Sequence, residues 1–318
     1  DEITEYNKSV LEALREPLEE NKIVINRLSG NYVYPCNFIF VASMNPCPCG
    51  YYGDDERKCK CTEYEIHRYL RKISGPLLDR IDIQIEVKRI KIDLLRNASK
   101  AKSSEEIRKR VNNAKKIQYE RYKDYGINSN SELKTKLITE CCKLDDKGNE
   151  VLQQAFKKFK FSVRAYEKIL KLARTIADLD SEKNIKIYHL AEAIQYRSLD
   201  KFFWIWSDNK GVTTNELIKK GGILVSNVDD IISKYKNIKF EKVQVTSKMI
   251  LPDISEELLE IYKVIYENPK DINQITVECK KEIREISYKI TLLQLQNLIE
   301  ELPGKRYIVK KEGDELHK

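Results

Sequence analysis

Apolar residues recur at helical spacing in some stretches of the chain and at strand spacing in others, and this divides it into blocks. From Ser9 to Leu18, the residues Val10, Leu11, Leu14 and Leu18 fall on one side of a helix. Ile23-Val24-Ile25 and Tyr32-Val33-Tyr34 flank Arg27-Leu28-Ser29-Gly30-Asn31, which predicts a β-hairpin. Phe38 to Ala42 is an unbroken apolar run, the pattern of a strand covered on both faces. Ile81 to Val87 alternates apolar with polar and predicts a further strand.

Residues 103–198 read as helical. Ser104, followed by Glu105 and Glu106, is expected to cap a basic helix that runs to about Lys123. A second helix is expected from Ser162 to Leu179, with Tyr166, Ile169, Leu170 and Ala173 at helical spacing, and a short last one from His189 to Arg197. Beyond Phe202-Phe203-Trp204-Ile205-Trp206 come Gly211 and the pair Gly221-Gly222, a short strand at Ile223 to Ser226 and a short helix at Val228 to Tyr235. Residues 255–311 predict three helices and a hairpin. Ser255 caps the first, which carries Leu258, Leu259, Tyr262 and Ile265, and Asn268-Pro269 stops it. Asp271 starts the second, with Ile272 and Ile275. The third spans Lys281 to Glu300 with Ile283, Ile286, Ile290, Leu293 and Leu298, and Pro303-Gly304-Lys305 turns between two strands. That order is a winged helix-turn-helix, expected to fold by itself.

The chain has 318 residues, about two domains' worth at ~150 residues each. Its 41% apolar content suffices for ordinary cores. No apolar run approaches the ~20 residues of a membrane span. Asp1 to Glu5 shows neither a basic nor an apolar leader, so a cytoplasmic protein is expected. Lys+Arg of 58 against Asp+Glu of 50 leaves +8, which permits nucleic acid as a partner; a lysine-rich solvated surface gives the same charge.

The eight cysteines of such a chain point to metal or free thiols rather than disulfides. Cys47, Cys49, Cys59 and Cys61 form two Cys-x-Cys pairs around Gly50-Tyr51-Tyr52-Gly53-Asp54-Asp55, which is loop chemistry. Four thiolates on one loop can close a tetrahedral Zn2+ site, although the spacing within each pair is tighter than usual; His67 is the reserve ligand. The alternative is four reduced, unliganded thiols. Cys36, Cys141, Cys142 and Cys279 are scattered and read as structural.

Five segments, in order, resemble the ComM-type, magnesium-chelatase-like AAA+ family. Asp1-Glu2 resembles the end of a Walker B strand. Ala42-Ser43-Met44-Asn45-Pro46-Cys47-Pro48-Cys49-Gly50-Tyr51-Tyr52-Gly53 resembles the sensor 1 segment and cysteine loop, and Ser74-Gly75-Pro76-Leu77-Leu78-Asp79-Arg80-Ile81-Asp82 the arginine-finger segment. Ser162-Val163-Arg164-Ala165-Tyr166, continued by Leu172 to Leu179, resembles the sensor 2 helix, and Ala191 to Arg197 the last helix. The resemblance implies ATP and Mg2+ as cofactors and phosphoryl-transfer chemistry, in which positioning and charge neutralisation dominate. Asp1 would hold the magnesium shell and Glu2 orient the attacking water. Asn45 would contact the γ-phosphate or that water, Arg80 would reach the nucleotide of a neighbouring subunit in a homo-hexameric ring, and Arg164 would sense nucleotide from the lid. Arg27, at the hairpin tip, would touch a DNA phosphate. Without the motifs around them, Arg80 and Arg164 read as surface salt-bridge residues, and Arg27 as an exposed loop arginine.

No Gly-x-x-x-x-Gly-Lys-Ser/Thr phosphate loop is present, and the only Gly-Lys pair is Gly304-Lys305. The chain alone is therefore expected neither to bind nor to hydrolyse ATP appreciably, and whether it is an enzyme is left open. Lys210 to Val225 is similar to the last part of the Rossmann-like domain of the DprA DNA-processing family, and residues 255–311 to its winged helix. Lys305 and Arg306 of that wing would contact DNA.

The fold expected is α/β plus α. A truncated AAA+ P-loop core occupies 1–88 and a helical lid 89–200. A junction and Rossmann-like remnant follows at 201–250, and a winged helix at 251–318. The function expected is a partial AAA+ motor of DNA uptake, natural transformation and recombination fused to a DprA-like tail, with DNA and recombination proteins as partners. The alternative is a non-enzymatic DNA- or protein-binding module acting through the winged helix and zinc loop. Magnesium insertion into a porphyrin is a weaker third reading.

Overall fold

The computed structural model describes residues 1–54, 56–87, 102–197, 252 and 254–310. The DprA-like stretch 210–225, the strand at 223–226 and the helix at 228–235 lie outside them.

The first block opens with a 3-10 turn at Ile3–Glu5, then α1 (Lys8–Ala13) and α2 (Arg15–Glu20). The single helix expected from Ser9 to Leu18 is thus two. Pro17 explains the break: in a continuous helix its ring would strike the carbonyl of Ala13, whereas in the first turn of α2 its missing N–H costs nothing. Strands β1 (Lys22–Arg27) and β2 (Gly30–Pro35) pair antiparallel, from Lys22 opposite Pro35 to Arg27 opposite Gly30.

Two expectations fail here. Phe38–Ala42 forms no strand, with Ile39 92% and Val41 84% exposed. Ile81–Val87 makes one isolated parallel bridge, Gln84 to Arg197, and leaves Ile83, Ile85 and Val87 exposed. The residue types favour strands, but a strand exists only in a ladder, and no neighbouring strand lines up with either segment among the described residues. What these segments do hold is local. Ile3 N–H donates to the Ser43 carbonyl at 2.9 Å, and Phe40, Met44 and Ile81 pack on Ile3, Leu11, Ile73, Leu77 and Leu78.

Thr62 and Glu65 form a capping box for α3 (Glu63–Leu70), and Ser74 caps α4 (Gly75–Leu78), with Pro76 in its first turn. The helical block comprises α5 (Ser104–Tyr122), α6 (Thr135–Cys141), α7 (Asp146–Phe159), α8 (Val163–Leu179) and α9 (Ile187–Gln195). The cap of α5 is Ser103 rather than Ser104, because only Ser103 stands three residues before Glu106 and can complete the reciprocal pair. Ile169, Ala173 and Ala177 of α8, with Leu190 and Ile194 of α9, are the fully buried centre of this block.

The last block is α10 (Glu256–Glu267), β3 (Lys270–Asp271), α11 (Ile272–Cys279), α12 (Ile283–Leu295), β4 (Ile299–Leu302) and β5 (Arg306–Val309), with antiparallel sheet order β3-β5-β4. The third helix is shorter than expected, since Asn297 turns into the left-handed region and β4 starts at Ile299. Ile283, expected in the core, heads the helix and is half exposed. Ile261, Ile265, Ile275, Ile286, Ile290 and Leu293 fill the interior. This block also docks on the helical one. Arg284 donates to both oxygens of Asp180 at 2.5 and 2.7 Å, Gln195 donates to the Ser287 carbonyl at 3.0 Å, and Leu292 and Leu295 reach the helical core.

Candidate functional site

Four sulfurs converge on the loop between the unpaired segment and α3. Cys47 Sγ lies 3.4 Å from Cys49 Sγ and 3.6 Å from Cys59 Sγ, and Cys49 to Cys59 is 3.5 Å. With Cys61, all four ligand atoms stand within 4.8 Å of one another. Sulfurs at ~2.3 Å from one tetrahedral zinc are ~3.8 Å apart, so the cage has the right size for such an ion. Gly50 turns the chain back between the pairs, at φ +80°, and its N–H donates to the Cys47 carbonyl at 3.0 Å. The thiols differ in environment. The backbone N–H groups of Lys60 and Tyr51 stabilise the Cys49 thiolate and bring its pKa down to about 6. Removal from water pushes Cys61 up to about 12 and raises Cys59 as well. His67, the reserve ligand, is not a member of the cluster; burial lowers its pKa.

The residues assigned to phosphoryl chemistry fall into two groups. Asp1 Oδ1 accepts from the Ser43 hydroxyl and from the Glu2 N–H at 3.1 Å, which sets the Asp1-Glu2 end beside the segment leading to Asn45. Glu2 has φ +47°, and Asp1, Glu2 and Asn45 are all exposed. In the second group, Arg80 and Arg164 meet on one carboxylate. Arg80 donates to Glu19 Oε2 and, at 2.7 Å, to the Pro76 carbonyl, while Arg164 Nε donates to Glu19 Oε1 at 2.7 Å. Sequence spacing gave no hint of Glu19, one of several glutamates on α2. Lys168 reinforces the junction from α8, with bonds to the Arg80 carbonyl at 2.9 Å and to Asp82. Arg197, fully buried, donates to the Ile81 carbonyl and so ties the finger segment to the helical block.

An open cleft of about 350 Å³ adjoins Arg80, lined also by Glu12, Arg15, Glu16, Glu19 and Glu20. Four carboxylates against the two arginines Arg15 and Arg80 leave the cleft net acidic, which repels a polyphosphate. The residues present therefore do not fit ATP with Mg2+. Arg27 stands exposed at the hairpin tip, above a groove of about 170 Å³ that it shares with Ile25, Tyr32 and Tyr34. Lys305 and Arg306 sit at the β4–β5 turn, both partly covered.

Residues 1–95 match the family described as magnesium chelatase, subunit ChlI, and residues 101–197 match the ChlI C-terminal family. Competence protein ComM of Haemophilus influenzae is 41% identical over 200 residues, which are 63% of this chain and 38% of the relative. YifB of Salmonella typhimurium is 37% identical over 202 residues, 63% of this chain and 39% of the relative, and YifB of Escherichia coli is 35% identical over the same shares. The chain thus spans under two-fifths of the length of the curated relatives it matches. No helix among the described residues is long and apolar enough to cross a membrane.

Proposed function

Since residues 1–197 are magnesium-chelatase-like and related to ComM, we propose that this chain carries the sensor, finger and lid part of a ComM-type AAA+ motor acting on DNA in transformation and recombination. The observation that carries the proposal is the convergence of Arg80 and Arg164 on Glu19, because it brings the finger segment and the lid helix into one cluster. Asp1, Glu2 and Asn45 make up the complementary half, on the side of Ser43. The groups belong to a site whose phosphate cradle is missing from these residues, so this chain alone neither binds nor hydrolyses ATP appreciably. Micromolar ATP affinity by calorimetry on the purified chain would overturn that statement. In the intact motor, the same arginines would act across a homo-hexameric ring.

The four-cysteine loop is proposed to hold one Zn2+, as soft thiolates in tetrahedral array select it. DNA contact is assigned to Arg27, whose hairpin carries two tyrosines and no acidic residue. The helix and sheet order of residues 256–309 supports a winged helix, with Lys305 and Arg306 on its wing, and through it a DprA-like tail. The second reading, a binding module without catalysis, is favoured by the acidic cleft and by the engagement of Arg80 and Arg164 with Glu19.

A further inference from the structure

Gly53 of the cysteine loop and Gly304 of the β4–β5 turn meet backbone to backbone. A Cβ on Gly304 would stand 2.5 Å from the Gly53 carbonyl oxygen, and one on Gly53 would stand 2.6 Å from the Gly304 nitrogen. Both have φ +83°, a conformation that other residues adopt only under strain. No side chain fits on either partner, so the contact exists only because both are glycine. Among its described residues, the loop that offers this surface has no helix or strand between Cys47 and Cys61; its internal support is local, with the Asp54 N–H on the Tyr51 carbonyl at 3.2 Å, Asp54 Oδ1 accepting from the Glu56 and Arg57 N–H groups at 2.8 Å each, and Arg57 donating to the Tyr51 hydroxyl at 2.7 Å. Elsewhere the C-terminal unit is held on the helical block by Arg284 on Asp180, by Gln195 on the Ser287 carbonyl and by Leu292 and Leu295 in the helical core.

We propose that the four-cysteine loop is the seat on which the C-terminal unit docks, and that the metal, as proposed above, is what keeps the seat formed. A loop closed by four metal–sulfur bonds loses most of its alternative conformations, and that leaves Gly53 presented in the one conformation that Gly304 can meet. Free of metal, the loop keeps only these local, exposed bonds around Gly53, and the turn bearing Lys305 and Arg306 comes away. Linkage makes the effect reciprocal: docking tightens the metal by the factor by which the metal tightens docking.

The experiment uses the full chain, loaded with zinc, against the same chain after chelation under reducing conditions. Limited trypsin digestion, read by mass spectrometry, follows cleavage after Lys305 and Arg306. Chelation is expected to speed these cleavages at least tenfold, with cleavage after Lys115 in α5 unchanged. Conversely, Arg284→Ala loosens the unit where it meets the helical block, with all cysteines and both glycines intact. It is expected to release zinc several-fold faster to a chromogenic chelator, and Gly304→Val faster still. Zinc-bound protein whose cleavage after Lys305 and Arg306 ignores chelation, or both variants releasing zinc at the original rate, would overturn the inference and leave the metal centre standing. A chain that takes up no zinc refutes the metal centre, and this inference with it.

Discussion

Asp178 of α8 is fully buried and carries the charge balance of the helical block. Arg121 donates to its two oxygens at 2.9 and 2.5 Å, Arg174 Nε at 3.1 Å and Asn130 Nδ2 at 2.9 Å. Burial opposes the charge on Arg121, but its hydrogen bonds to Asp178 and Tyr122 outweigh this and raise its pKa, whereas burial prevails at Arg174 and lowers it. Asp178→Asn keeps the shape and removes the charge, so two guanidiniums face a neutral amide. Breaking a buried ion pair by removing one partner costs ~3–5 kcal/mol. The Arg121 side chain is 21% exposed and recovers some hydration, while Arg174 is 3% exposed and recovers almost none, which places the loss near the lower bound, ~3 kcal/mol. With a urea slope of ~1–3 kcal/mol/M, the unfolding midpoint should fall by roughly 1–3 M, read by circular dichroism at the helical band. Adding Arg174→Met removes one uncompensated charge but frees the Lys183 and Glu182 carbonyls, which accept from Arg174 at 2.8 and 2.6 Å, so it should recover only part of the loss. A midpoint shift under about 0.3 M for Asp178→Asn would refute the reasoning, since that corresponds to a surface substitution.

Further tests concern acid sensitivity, metal and DNA. His189 is fully buried; its Nδ1 accepts the Lys186 N–H at 3.0 Å, its Nε2 lies 3.2 Å from Asp180, and burial lowers its pKa against the opposing pull of Asp180, with Arg284 and Arg174 acting in the same sense as burial. The unfolded chain therefore takes up the proton first, so stability present above about pH 6.5 is lost as pH falls below it, and His189→Gln should flatten urea midpoints between pH 7.5 and 5.5; an unchanged slope would remove His189 from the account. Protein purified under reducing conditions should contain one zinc per chain by elemental analysis and lose it in Cys59→Ser, whereas zinc-free wild type would count against the centre. Arg27→Ala should weaken binding of a fluorescent oligonucleotide and reduce the salt slope by about 1, and Lys305→Ala with Arg306→Ala tests the wing in the same way. Salt-insensitive binding, or no loss in that double variant, would favour a protein partner for the wing.

Two helix starts were legible because a side chain closes its own turn. Ser162 and Asp271 each accept a backbone N–H two or three residues ahead, and that chemistry needs no tertiary partner. The α5 cap was missed by one residue because two adjacent serines offer the same oxygen, and only the Glu106 register separates them. The cysteine cage was legible for a similar reason: its ligands lie within 15 residues of chain, and Gly50 and Gly53 permit the reversal.

Residues 38–42 and 81–87 show the opposite case. Their apolar runs state what a strand would look like, but whether a strand forms depends on a ladder partner that no local pattern supplies, and so Ile39, Val41 and Val87 face solvent. Glu19 is likewise one glutamate among several on α2 until α4 and α8 bring Arg80 and Arg164 to it from 61 and 145 residues away. Gly53 and Gly304 each read as an ordinary turn glycine, and their contact joins loops 251 positions apart. The sequence by itself thus determined the helix starts at Ser162 and Asp271 and the grouping of four cysteines on one loop, because those interactions close within a few turns of chain. The tertiary structure alone decided that residues 38–42 and 81–87 form no strand, and it alone decided the shared carboxylate and the seated turn, because each depends on distant segments arriving in one orientation.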